Sequence, residues 1–283
     1  MNHEAVEPRQ SHAFYESRYA PGLQTLQDVI FREVYDDYIG QSSWIATADY
    51  DRFIGWLDVA PDAQVLDVAC GRGALAVRLA CLAGCSVVGI DNNALAIARG
   101  ALTAHEQGLS ERVRLEHCDG SQPLPFSSGM FDALVCIDAL ALLPDRTRLF
   151  AEWARVLKPG GRLLLTNPVM TGAISNEEIA ARTSQGHFLL VPPGYDERIV
   201  GEAGFALLRR EDITTQLAEI ARRHSAARAA HADRLRETEG EEEFAMQNRY
   251  RAVAARLASE RRLSHIVYLA RKQTSGAIAV ATS

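Results

Sequence analysis

The stretch Val65-Leu66-Asp67-Val68-Ala69-Cys70-Gly71-Arg72-Gly73 decides the fold. Its short apolar run reads as a buried strand, the two glycines as a tight turn, and Leu75 to Ala83 as a helix. Strand, glycine turn and helix in that order open a βα unit. Without Cβ atoms, Gly71 and Gly73 let a ligand approach the main chain. The N–H groups of the first helical turn are then open to a carboxylate or phosphate.

The same alternation continues outward. Short apolar runs at Gln64–Ala69, Ser86–Asp91, Val113–Cys118, Phe131–Asp138 and Gly161–Asn167 read as strands. Helical stretches at Leu75–Ala83, Asn93–Glu106 and Arg146–Leu157 lie between them, which predicts crossovers, a parallel sheet and a doubly wound α/β topology. Further on come a loop and helix over Thr171–Ser184, a helix over Asp196–Ala203 and a strand over Phe205–Asp212. The Ala-, Arg- and Glu-rich segment Thr214–Arg262 predicts two helices broken near Gly240, and the alternating run Ser264–Ala270 predicts a last strand. Upstream, aromatic and acidic residues at helical spacing between Phe14 and Trp56 predict two short helices. The expected plan is a seven-stranded sheet with an N-terminal helical cap over 1–58 and a core over 59–168. Substrate-side helices, including an insertion before the last strand, follow over 169–272, then a tail over 273–283.

A chain of 283 residues, 47% hydrophobic and 23% charged, suits one α/β domain with helical additions. A net charge of −6 offers no general attraction to nucleic acid or anionic lipid, so small-molecule partners are favoured. The five cysteines (Cys70, Cys81, Cys85, Cys118, Cys136) show no CxxC or paired-His spacing, as in a reduced protein. Met1–Gln10 is polar, and no later run reaches the roughly 18 apolar residues of a membrane span. A cytoplasmic monomer or homodimer is expected, without nucleic-acid or membrane partners.

Asp91 ends the second strand, where a carboxylate can accept both hydroxyls of a ribose. An adenosine-type ligand follows, and two cofactor classes carry one. A nicotinamide dinucleotide would call for glycine at position 76, which is Ala76, a variant that such folds accept. Asp67, just ahead of the turn, would repel a pyrophosphate but suits an ammonium.

Five segments in order, Asp67-Val68-Ala69-Cys70-Gly71-Arg72-Gly73, Gly89-Ile90-Asp91-Asn92, Cys118-Asp119-Gly120, Phe131-Asp132-Ala133-Leu134-Val135 and Leu157-Lys158-Pro159-Gly160-Gly161, resemble class I S-adenosylmethionine-dependent methyltransferases. The resemblance covers Val65 to Pro168 and implies a Rossmann-like fold and methyl transfer to an O, N, C or S atom of a small molecule, leaving S-adenosylhomocysteine. It implies that Asp67, Ala69, Cys70, Gly71 and Gly73 surround the methionine part. Asp91 and Asn92 would hold the ribose, and Asp119 and Gly120 the adenine edge, with Ile137 and Asp138 beside the sulfonium. A looser similarity, through the opening helices and the helical insertion, is to glycine/sarcosine and dimethylglycine methyltransferases. Two alternatives stay open: a protein that binds S-adenosylmethionine without net methyl transfer, and an NAD-dependent oxidoreductase.

Outside these segments, Trp44 and Tyr19 are the aromatic residues expected near the sulfonium or a cationic amine substrate. Tyr15, Phe188 and Tyr195 are placed at the mouth of the site, and Leu140 and Leu143 in an apolar wall. His187 is the candidate general base, because an imidazole titrates near neutrality. Catalytic candidates are therefore His187, Tyr19 and Asp138. Only Asp138 and Asn167 follow strands four and five with oxygen ligands, too few for a metal, and none is expected.

Overall fold

Along Gln64–Val68 (β1) Leu66 and Val68 face one side of the sheet and Val65 the other, so this strand is apolar on both faces and sits at its centre. The structure, a computed structural model of the chain, describes residues 21–184, 186 and 188–274. β1 pairs in parallel with β2 (Ser86–Asp91) on one side and β4 (Phe131–Cys136) on the other. With β3 (Val113–His117), β5 (Leu157–Met170), β6 (Phe205–Asp212) and β7 (Leu263–Lys272) the seven strands run in the order β3-β2-β1-β4-β5-β7-β6. The chain thus turns outward in opposite directions from β1, and a crevice opens where β1 and β4 end.

The first five strands pair in parallel as their helical crossovers predict, and the sheet becomes mixed at β7, which runs antiparallel to both β5 and β6. An antiparallel partner needs no crossover, so the long excursion between β6 and β7 is free to form its own layer. The reversal also sets the start of β7 beside the end of β5, with His265 opposite Pro168. β5 begins at Leu157, ahead of the expected Gly161, and its register against β4 shifts between Phe131 and Ala133.

The helices are α1 (Pro21–Val34), α2 (Thr47–Leu57), α3 (Ala74–Ala83), α4 (Ala94–Glu106), α5 (Arg146–Val156), α6 (Asn176–Arg182) and α7 (Tyr195–Glu202). Between β6 and β7 come α8 (Thr214–Ala230), α9 (Ala232–Glu239) and α10 (Glu241–Ser259). The break at Gly240 is as the sequence predicts, and a second break at His231 makes three helices of the expected two. Phe53 of α2, Leu79 of α3 and Ala104 of α4 pack one face of the sheet. Phe150 and Trp153 of α5 and Ile199 of α7 pack the other. A third apolar cluster joins Leu26, Ile30 and Phe31 of α1 to Ile220, Leu235 and Phe244 of α8 to α10, so helices from before β1 and from between β6 and β7 build one layer. Within it the buried Arg228 on α8 pairs with Glu239 on α9 at 2.7 Å and donates to Asn248 on α10. No described helix is long and apolar enough to cross a membrane.

α6 is short and depends on its ends. Ser175 and Glu178 form a reciprocal capping box, and Glu178 also receives Arg262 at 2.5 Å and Arg256 at 2.8 Å. The Arg262 hydrogen bonds, then the Ser175 N–H, hold the Glu178 carboxyl at about 2, below its ordinary 4.5. A depressed carboxylate pKa stabilises the fold above the unfolded value and loses that contribution as pH falls through the folded one. Glu178→Gln should therefore lower the urea midpoint at neutral pH, and the gap to the parent should close between pH 4.5 and about 2. A gap independent of pH would show that the charge of Glu178 contributes nothing.

Candidate functional site

A cavity of about 290 Å³ opens at the carboxyl ends of β1 and β4. Asp67, Ala69, Cys70, Gly71, Asp91, Asn92, Asp119, Gly120, Ile137, Asp138 and Trp44 line it. Gly73 is not among the residues on its wall; it caps α3 at φ +69°, and a Cβ there would stand 2.7 Å from Leu115 Cδ1. Tyr15, Tyr19 and His187 lie outside the described residues. Phe188 is on the cavity wall, whereas Tyr195 packs against the core beneath β5. Leu143 lines the cavity as expected, but Leu140 is fully buried in the core and Leu142 takes the wall position. Asn167 is turned into a buried network with Asp196 and Arg146, away from any ligand role.

Charge along the glycine turn is arranged by the backbone. Asp91 accepts the Gly71 N–H at 2.8 Å and the Asn93 N–H at 2.9 Å, which fixes its carboxylate against the turn. Asn93 in turn caps α4 by accepting the Ala96 N–H. Asp67 is 2% exposed, and its Oδ2 has no hydrogen-bond partner among the described residues. Burial, then the negative charge of Asp91, pushes its carboxyl well above the usual range. Burial likewise raises the Cys70 thiol, which rules it out as a thiolate nucleophile near neutrality. Asp119 Oδ1 accepts both the N–H and the hydroxyl of Ser121. Arg72, from the turn itself, reaches Asp28 at 3.0 Å, the Tyr38 hydroxyl and the Gly40 carbonyl, and so ties the loop before α2 to the cavity rim.

The opposite half of the cavity is organised by Asp138. This residue has φ +55°, and Ala69 at the end of β1 has φ +58°, so strained non-glycine backbone marks both strand ends at the crevice. Asp138 accepts the Trp44 N–H at 2.6 Å, the Thr166 hydroxyl at 2.7 Å and the His265 Nε2–H at 2.7 Å. Thr166 answers by accepting the Asp138 N–H at 2.8 Å. Burial alone would raise this carboxyl, but His265, Trp44 and Thr166 together hold it below the usual range. An ionised Asp138 keeps the His265 proton on Nε2, so a neutral His265 carries its lone pair on Nδ1. That atom is buried, without a partner among the described residues, and His265 lines the cavity. The sequence reading missed His265. Its one signal was a titratable side chain inside the otherwise apolar alternation of Ser264–Ala270.

A doubly wound sheet with a glycine turn and an acidic residue ending β2 defines a Rossmann-like, nucleoside-binding class of protein. Residues 65–161 match the family model described as a methyltransferase domain, the same segment whose motifs resemble class I methyltransferases. Among curated relatives it is similar to Methyltransferase GfsG of Streptomyces halstedii, 34% identical over 56% of this chain and 59% of that one. It is also similar to 27-O-demethylrifamycin SV methyltransferase of Amycolatopsis mediterranei, 28% identical over 64% of this chain and 67% of that one. Among solved structures, the cyclopropane synthase MmaA2 from Mycobacterium tuberculosis shares the fold with a TM-score of 0.79 at 17% identity, over 96% of this chain and 100% of that one. The chain spans about half to two thirds of the length of these curated relatives.

The turn tolerates no added bulk beneath it. A Cβ on Gly100 of α4 would stand 2.5 Å from the Arg72 carbonyl oxygen, which is main chain and cannot swing aside. Gly100→Ala should cost about 1–3 kcal/mol, the usual range for overpacking, measured by urea unfolding. An unchanged midpoint would mean that α4 can move away from the turn.

Proposed function

We propose that the protein transfers a methyl group from S-adenosylmethionine to a protic atom, a hydroxyl or a protonated amine, of a small molecule. The observation that carries the cofactor is the buried Oδ2 of Asp67, without a partner among the described residues, in a cavity that also holds Asp91 and Asp119. A carboxylate in that position matches an ammonium, whereas three carboxylates along one wall oppose the pyrophosphate of a dinucleotide. In this reading Asp67 and the turn through Gly71 hold the amino-acid end. Asp91 and Asn92 hold the ribose hydroxyls, Asp119 with the Gly120 N–H holds the adenine edge, and Ile137 and Trp44 wall the sulfonium. When bound, S-adenosylmethionine supplies an activated methyl group with a neutral thioether as leaving group.

The chain's own residues do the rest. The cavity walls bring the acceptor atom to about 3 Å from the methyl carbon and exclude water. His265 Nδ1 takes the proton that the acceptor must lose, and Asp138 stabilises the imidazolium so formed. Asp138 is a positioning residue: each donor it accepts fixes one wall. A base in this place favours hydroxyl and ammonium acceptors over carbon or sulfur acceptors that bring no such proton.

Calorimetric titration with S-adenosylmethionine, S-adenosylhomocysteine and NAD tests the cofactor. The two adenosyl ligands should bind and NAD should not. Asp91→Ala should weaken binding about 10- to 100-fold, the effect of losing charged hydrogen bonds. Binding of NAD alone would overturn the methyltransferase reading. With an acceptor found by following S-adenosylhomocysteine release, His265→Ala should lower kcat about 10²- to 10⁴-fold and leave S-adenosylhomocysteine affinity unchanged. Undiminished turnover in that variant would remove His265 from the chemistry.

A further inference from the structure

Arg182 ends α6 on the cavity wall, and its side chain is 3% exposed. Its guanidinium lies over the Phe188 ring at 4.7 Å and over the Tyr250 ring at 4.1 Å. Its Nε and Nη1 find no hydrogen-bond acceptor among the described residues, and it makes no ion pair with any described acidic side chain. Of the acidic groups on the cavity wall, Asp91 is committed to the glycine turn and Asp138 to His265, and neither Asp67 nor Asp119 pairs with this guanidinium. A guanidinium does not shed its proton, so this charge stays buried. Ring contacts offset part of its desolvation, but the N–H groups lie in the guanidinium plane and rings above that plane cannot accept them. The arrangement is one in-plane anionic acceptor short.

We infer that Arg182 is the anchor for an oxyanion, a carboxylate or a phosphate ester, carried by the methyl acceptor. The inference rests on the methyl-transfer reading above and narrows its substrate to an anionic small molecule. It also reverses the sign expected from the aromatic residues alone: Phe188 and Tyr250 already hold a cation of the protein, so the acceptor brings a negative charge, not a quaternary or protonated amine held by those rings. The fork of the guanidinium fits the two oxygens of such a group, fixing the acceptor's orientation as well as its position. The capping box and the Glu178–Arg262 clamp hold α6, and with it Arg182, against the start of β7, the strand that carries His265.

The test uses the full chain saturated with S-adenosylhomocysteine, with benzoate, inorganic phosphate and the neutral isostere benzamide as probes, read by thermal shift and calorimetry. Benzoate or phosphate should raise the melting temperature and benzamide should not. Arg182→Met should abolish that response, Arg182→Lys should weaken it about 10- to 100-fold, and both should bind S-adenosylhomocysteine as the parent does. A response to benzoate assigns the carboxylate, and a response to phosphate alone assigns a phosphate ester. No response to either anion, or an equal response in Arg182→Met, would overturn the proposal. Arg182→Met should also melt no lower than the parent, because it removes an unpaired buried charge; a large fall together with lost anion response would make Arg182 a packing clamp and overturn it as well. Failure of S-adenosylhomocysteine binding in the parent would instead strike the methyl-transfer reading.

Discussion

The carboxylate of Asp138 is the contact on which the half of the cavity away from the glycine turn depends. It stands at the end of β4 in a strained backbone conformation and receives a donor from each neighbouring wall: Trp44 from the loop before α2, Thr166 from β5 and His265 from β7. A buried negative charge is tolerated only when its lone pairs are satisfied. The loop and both strands must therefore reach the crevice together, or the charge is left exposed to an apolar interior. Satisfaction of one ion thus fixes the relative positions of segments more than a hundred residues apart in sequence.

The two halves of the cavity solve opposite problems. Around β1 and β2 the protein spends its own backbone N–H groups on Asp91 and leaves Asp67 Oδ2 without a partner among the described residues. Around α6 it leaves a cation, Arg182, without an anion among the described residues. Each charge is held in place by packing and not by a partner, so each is a cost in the folded protein that a ligand of opposite sign relieves.

What the sequence reveals follows from how local the determinants are. The strand, turn and helix from Val65 to Ala83, Asp91 at the end of β2 and Asp119 after β3 are each written in a few neighbouring residues, and all lie where the periodicity puts them. The direction of β7 is not local. An alternating run such as Ser264–Ala270 pairs equally well in either sense, and only the long helical excursion before it determines which. His265 and Arg182 were hidden for the same reason: a lone His in a strand and a lone Arg at the end of a short helix acquire meaning only from Asp138, Phe188 and Tyr250, which are distant in sequence. Leu140 and Tyr195 show the converse. Apolar character alone does not say whether a residue lines a cavity or fills the core behind it.

The place of β7 between β5 and β6 has a consequence for the order of assembly. β6 pairs with no other described strand, so it has no place in the sheet until β7 arrives, and β7 is separated from β6 by the whole of α8 to α10. Pairings that span so much chain close late, after contacts of short sequence separation. The glycine turn and its acidic strand end belong to the early, local part of the fold, whereas His265 enters with the last joint of the sheet. The half of the cavity around the glycine turn can therefore take shape before the half that carries His265, and the two meet only when the sheet is complete.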